Sequence, residues 1–264
     1  MSRCVQNARL SGLLGATAFL SVAFLDAPTA QAAELQVQVT IALRVAVGEM
    51  AAAFEKRSGH TIKITVAAPG EIVAALQAGR HADVVVLTDG GLAELEDKGL
   101  VRRERVALAS SAFGLATRSG GLAPDISTPE ALRAVLLEAS KVIYNNPKTT
   151  PSGQVLLRIA ERLGVAEQVK AKSQVVAGGT SVSTLAKDTS PGLVVAMSPL
   201  TEIPGHPGTT LLGPLPKELQ VRTSFSAVLG AHPQDEVLAQ SFLDGLASAE
   251  AKQAYVATGF DVGK

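Results

Sequence analysis

The chain opens, past its first thirty or so residues, on a strict alternation of apolar and polar positions. Leu35, Val37, Val39 and Ile41 alternate with Gln36, Gln38 and Thr40, a period of two that predicts a strand with one buried face. From Ala42 to Ser58 the apolar positions Val45, Met50, Ala53 and Phe54 fall near helical spacing, and Gly59 supplies a stop. Thr61 to Ala67 returns to alternation and ends at Pro69-Gly70, after which Glu71 to Ala78 reads as a helix closed by Gly79. Val84-Val85-Val86-Leu87 is a continuous apolar run, the pattern of a strand covered on both faces in a parallel sheet. Gly90 to Lys98 predicts another short helix, ended by Gly99. Such regular alternation of strand and helix predicts a parallel sheet flanked by helices.

A second series follows a long strand over 107–117 and the loop signals Ser119-Gly120-Gly121 and Pro124-Asp125. Its expected parts are helices over 128–139, 153–163 and 181–187, with strands over 141–144, 173–176 and 193–196. Gly205 to Pro216, rich in Gly and Pro, is expected to be a loop holding a short strand. Ser224 to Leu229 is apolar again, and two short helices close the chain. Two complete α/β series with a C-terminal return favour two lobes; a single doubly wound enzyme domain is the alternative. No internal repeat or low-complexity tract interrupts the pattern.

The first residues fit neither series. Arg3 and Arg9 precede an apolar stretch from Leu10 to Leu25, and Ala30-Gln31-Ala32 has the small-residue form of a cleavage site. Residues 1–32 are expected to be a signal peptide, with the mature chain starting at Ala33 and destined for the periplasm. An uncleaved anchor is the alternative, though the stretch is short against the roughly 20 apolar residues of a membrane span. Removal takes away Arg3, Arg9 and Asp26, so 24 basic and 24 acidic residues fall to 22 and 23, a formal charge of −1. That balance gives no reason to expect nucleic-acid binding, which leaves a basic excess or stripe. Cys4, the one cysteine, leaves with the signal, so a thiolate metal site or Cys nucleophile is not expected. Aromatics at 3% and the absence of Trp argue against a surface that stacks sugars or bases.

Two stretches carry a resemblance. Ala53-Phe54-Glu55-Lys56-Arg57-Ser58-Gly59 and Leu76-Gln77-Ala78-Gly79-Arg80-His81-Ala82-Asp83-Val84 look like segments of periplasmic binding proteins, as do Asn146-Pro147, Pro151-Ser152-Gly153 and Gly192-Leu193-Val194-Val195. Over 35–264 the chain resembles the molybdate-binding family, which has the type II periplasmic binding fold. The resemblance implies an α/β protein with two lobes, a cleft between them and two crossing strands near 110–118 and 220–226. Its lobes would comprise 33–112 with 225–264, and 113–224. It also implies a monomer that holds a small anion by helix N-terminal N–H groups and serves an ABC permease. Orphan N–H groups and the positive end of a helix suit an anion without a cationic side chain.

Carried over position by position, the family's ligand sites fall on Ala42, Leu43 and Arg44, on Ala68, Pro69 and Gly70, on Ser152 and Gly153, on Thr180, Ser181 and Ser183, and on Ala196 and Met197. Serines of the family's first lobe are replaced by Ala42 and by Ala67-Ala68-Pro69-Gly70, and its Tyr falls on Ala196. Each lost partner of a buried oxyanion costs about 1–3 kcal/mol. Arg44 and Lys148 add cations near the cleft, and Arg suits a carboxylate, so an organic di- or tricarboxylate fits better than molybdate. Each residue also has a plainer reading: Arg44 and Lys148 as solvated charges, Ser152 and the Thr180–Ser183 hydroxyls as helix caps. His60, His81, His206 and His232 are scattered without metal-ligand spacing, and neither a metal nor a cofactor is expected.

The chain lacks G-x-S-x-G, H-E-x-x-H, the P-loop and G-x-G-x-x-G, which favours binding over catalysis. Asp83 resembles a structural residue of the family. The alternative comes from a relative of the same fold, the aconitate isomerases. Under it Arg44 and Lys148 anchor carboxylates, and Ser152 or a bound water relays the proton. A sensor or scavenger without a transport partner is a third possibility.

Overall fold

A computed structural model describes residues 32–263, so the signal-peptide expectation and Cys4 lie outside the described residues apart from Ala32. The first series comprises β1 (Glu34–Thr40), a single 3-10 turn (Ile41–Leu43), α1 (Arg44–Ser58), β2 (Thr61–Ala67), α2 (Pro69–Gln77), β3 (Val84–Thr88) and α3 (Asp89–Asp97). The long β4 (Val106–Arg118) leads to α4 (Pro129–Glu138), β5 (Lys141–Asn145), α5 (Pro151–Arg162), α6 (Ala166–Ala171), β6 (Ser173–Val176), α7 (Ser181–Lys187), β7 (Val194–Pro199) and β8 (Thr209–Pro214). The return is β9 (Arg222–Leu229), α8 (Glu236–Leu246) and α9 (Ala249–Ala257).

The α/β series expected from the sequence are present, with α6 the one helix not anticipated. Helix boundaries follow local chemistry. Thr88, Thr128, Thr150, Asp235 and Ser248 cap their helices by accepting a backbone N–H three residues on. Pro69, Pro129 and Pro151 occupy the first turn, where the missing N–H costs nothing. In α1 the inward face carries Ala46, Val47, Ala51 and Phe54, whereas Val45 is 49% exposed, a shift from the spacing read in the sequence. A 3-10 turn precedes the helix and rotates its face.

The strands run in the order β2-β1-β3-β9-β4-β7-β5-β6, with β8 also paired to β4. β1 is parallel to β2 and β3, and β5 is parallel to β6 and β7. β4 and β9 are antiparallel to each other and join the halves: Val106 to Ala112 of β4 pairs with β9, while Phe113 to Thr117 pairs with β7. Every residue of β3 is buried, with Val84 and Val86 in one core and Val85 and Leu87 in the core on the opposite face. The cores of the second half are separate, one around Leu132, Leu136, Leu156 and Ile159, the other around Ile143, Val182, Leu185 and Val194.

Asp83 has a structural role in the turn before β3. Fully buried, its carboxylate accepts the N–H groups of Gln36 and Gln234 at 2.7 Å each and meets His81 Nε2 at 3.0 Å. It thereby ties β1 and β3 to the segment that follows β9. Replacement Asp83→Ala leaves two backbone donors without their acceptor and is expected to lower unfolding free energy by about 3 kcal/mol, read by urea denaturation.

Candidate ligand-binding cleft

Several helix starts face the space between the two halves. The ends of β1, β2, β3 and β5 lead into the 3-10 turn before α1 and the N-termini of α2, α3 and α5, all of which line one central pocket. The pocket is narrow and partly open to solvent, and is lined by Thr40, Ala42, Ala68, Thr88, Asn145, Ser152 and Glu202, with Phe113 and Phe225 as apolar walls. Two larger mouths flank it. One lies among Gly70, Thr88, Asp89, Lys148, Gln154 and Arg222, the other among Ala42, Arg44, Ser183, Glu202 and His206.

Each helix start brings N–H groups that need acceptors, and most already have one. At α2, Gly70 N–H donates to Thr149 O at 3.0 Å across the cleft, and Glu71 accepts the N–H of Ala68 at 3.1 Å. At α3, Thr88 Oγ1 accepts from Gly91 N–H. At α7, Asn145 Oδ1 accepts from both Thr180 and Ser181 N–H, at 3.2 and 3.1 Å. The amide of this buried side chain also donates to Ser152 Oγ at 3.1 Å, so one residue fastens α5 and α7 together. Ala42, in the 3-10 turn, and Ser152, in the first turn of α5, line the central pocket from opposite halves.

The two halves touch closely. A Cβ on Gly70 would lie 2.8 Å from Thr149 Cα, and one on Gly178 would lie 2.8 Å from Ala68 Cβ. Within the second half, a Cβ on Gly153 would reach 2.1 Å from Asn145 O, so the Pro151-Ser152-Gly153 turn needs glycine to seat α5 against β5.

Of the residues anticipated from sequence, Ala42, Ala68, Pro69 and Ser152 line the central pocket. Gly70 and Lys148 belong to one mouth and Arg44 and Ser183 to the other, so the two cations flank the pocket from different sides. Arg44 is exposed and donates to Ile41 O at 3.1 Å. Leu43, Ala196 and Met197 have their side chains in cores: the 3-10 turn directs Leu43 inward and β7 places Ala196 and Met197 on its two packed faces, so only their backbone could face a ligand. Thr180 and Ser181 are held by Asn145 in place of a ligand, and Gly153 serves packing. Asn145 and Glu202 were not anticipated. Asn145 had a faint signal as the last residue of a strand before Asn-Pro; Glu202 had none.

Glu202 lines both the central pocket and one mouth. Oε2 accepts from Ser198 Oγ at 2.6 Å, and Ser198 Oγ accepts in turn from Ser181 Oγ at 3.3 Å. Burial raises its pKa, outweighing the Ser198 hydroxyl and the charge of Arg44, which act the other way. Among the described residues no cluster of three His, Cys, Asp or Glu is placed to hold a metal ion.

Comparison with known proteins adds four findings. The sequence pattern of the family described as bacterial extracellular solute-binding protein matches residues 35–261. The chain is 29% identical over 213 residues to an aconitate isomerase from Pseudomonas sp, covering 78% of this chain and 79% of that one. It is also 29% identical over 147 residues to the molybdate-binding protein ModA of Azotobacter vinelandii, covering 54% and 56%. The solved Azotobacter vinelandii periplasmic molybdate-binding protein superposes with a TM-score of 0.70 at 17% identity, over 87% of this chain and all of that one, which speaks for the fold alone. The type II binding-protein architecture expected from the sequence is thereby confirmed.

The contact at Gly70 makes a prediction that needs no ligand. A side chain there must push against backbone, so Gly70→Val is expected to disfavour the touching arrangement by about 1–3 kcal/mol. The measured outcome is a larger radius of gyration in small-angle X-ray scattering, with cooperative unfolding retained.

Proposed function

The chain belongs to the bacterial extracellular solute-binding proteins, whose pattern spans residues 35–261, and on that premise we propose that it captures a small anion in its cleft and delivers it to an ABC-type permease. The observation that carries this reading is the convergence of helix-start N–H donors on a single pocket, which Ala42 lines from one half and Ser152 from the other. Such donors are pre-oriented, and they keep the site free of a cationic side chain that would itself need desolvation. Ser152 adds its hydroxyl, and Thr40 and Thr223 add two more.

In this reading 33–112 with 225–264 and 113–224 move as two bodies. β4 and β9 act as the hinge, since they alone pair across both halves. The protein works as a monomer in the periplasm after loss of residues 1–32. The ligand is an organic carboxylate or an oxyanion. The wall of Phe113, Phe225, Pro69 and Pro199 favours the carboxylate, whose carbon skeleton can lie against it.

A second reading draws on the Pseudomonas relative: the same cleft interconverts cis- and trans-aconitate. Arg44 and Lys148 would then attract carboxylates from the two mouths, and Ser152 would touch the reacting carbons.

The test is the melting temperature of residues 33–264 against molybdate, tungstate, sulfate, phosphate, citrate, cis-aconitate and trans-aconitate. A ligand at 100 times its Kd adds about 2.7 kcal/mol of stability. Stabilisation by at least one anion of the panel is the expected outcome; no shift with any of them sinks the anion reading. Proton NMR of cis-aconitate incubated with the protein decides the second reading by whether the trans isomer accumulates.

A further inference from the structure

An acidic side chain in a pocket built for anions needs an account. Glu202 follows β7, in a turn closed by its own N–H donating to Pro199 O at 3.0 Å. Its carboxyl is fixed from behind. Ser198 Oγ donates to Oε2, and Ser181 Oγ, itself fully buried beside the Asn145 cap, stands behind Ser198. With Oε2 already accepting a hydrogen, a proton on this carboxyl belongs on Oε1. That oxygen has no protein partner among the described residues, and it is not among the enclosed unsatisfied atoms, so it opens onto the cleft that Glu202 lines.

The consequences for a bound anion are opposite in the two protonation states. A charged Glu202 repels any anion seated against the Ala42 and Ser152 N–H groups. A neutral Glu202 adds a third donor, O–H, to theirs. The residues lining the two pockets with Glu202 include only two other charged or titratable groups, Arg44 from α1 and His206 from the loop after Glu202. Arg44 is exposed and its guanidinium is turned to Ile41 O without an ion pair to Glu202, so its charge favours the carboxylate only from a distance and is outweighed by burial.

We propose that Glu202 is a ligand-contacting acid that enters the complex protonated, so that capture of an anion takes up one proton. This rests on the anion reading above. The raised pKa of the unliganded carboxyl lowers the cost of holding that proton. The linkage has a definite sign. An anion stabilises the neutral form, so the pKa rises further on binding. Affinity is then full below the unliganded pKa, and it falls tenfold per pH unit above it until the pKa of the complex is reached.

The experiment is isothermal titration of the 33–264 protein with trans-aconitate, and separately with molybdate, from pH 5 to 9 in buffers of different ionisation enthalpy. Wild type is expected to lose affinity as pH rises and to absorb close to one proton where the slope is tenfold. Glu202→Gln keeps a donor at the position of Oε1 and is expected to bind with no proton uptake and little of the slope. His206→Gln is expected to keep both. An unchanged apo melting temperature confirms that the Gln variant is folded. Binding by wild type without slope or uptake, a slope that survives in Glu202→Gln, or one that vanishes in His206→Gln overturns the proposal and leaves the anion reading standing. Failure of both probes to bind wild type at every pH overturns the anion reading and this proposal together.

Discussion

Backbone N–H groups at the start of a helix have no partner within the helix, and a fold that aims several helix starts at one place must supply acceptors for them. That constraint organises this cleft. Strand ends set the directions, and the acceptors are supplied unequally. Asn145 serves α7, Thr88 serves α3, and Thr149 of the facing half serves α2. Ala42 and Ser152, each in the first turn of its helix, line one pocket from opposite halves. Helix-start N–H groups define that pocket as much as its volume does.

The same accounting gives the contact between halves its role. Gly70 N–H is satisfied by Thr149 O only while the halves touch. Separation returns that donor to water, at a net cost of about 0.5–1.5 kcal/mol. One hydrogen bond and the packing of Ala68 against Gly178 are a modest tie. The balance between open and closed arrangements is thereby left within reach of a small ligand, which adds its own bonds to both halves at once.

The sequence made the framework legible because each element carried its own local signal. β3 announced itself as Val84-Val85-Val86-Leu87, α5 by Pro151 after a capping Thr150, and the turn before β3 by the glycine and aspartate whose buried hydrogen bonds the structure displays. α6 escaped because six residues make under two turns and leave no period to read. The site was legible only in part, for two physical reasons. Transfer by alignment gives positions along a strand but not the face presented, so Ala196 and Met197 were drawn to the cleft while both side chains are buried in cores. Capping, moreover, is a relation between distant segments: nothing in Asn145-Asn146-Pro147 says that its first side chain lies 3.1 Å from Ser181 N–H.

Glu202 belongs to neither kind of signal, and it sharpens what the pocket selects. Backbone donors recognise negative charge but discriminate poorly among anions, because every oxyanion offers acceptors. A single group able either to donate or to accept changes that. With its proton, it rewards a bare oxygen on the ligand; without it, it tolerates only a ligand that brings a hydrogen of its own, such as a hydroxyl or a protonated acid. Ser198 holds the carboxyl in one orientation by donating to Oε2, and Ser181 stands behind it by donating to Ser198 Oγ. Selectivity in this cleft is therefore carried by one proton on one side chain, set against a ring of backbone donors that recognise charge alone.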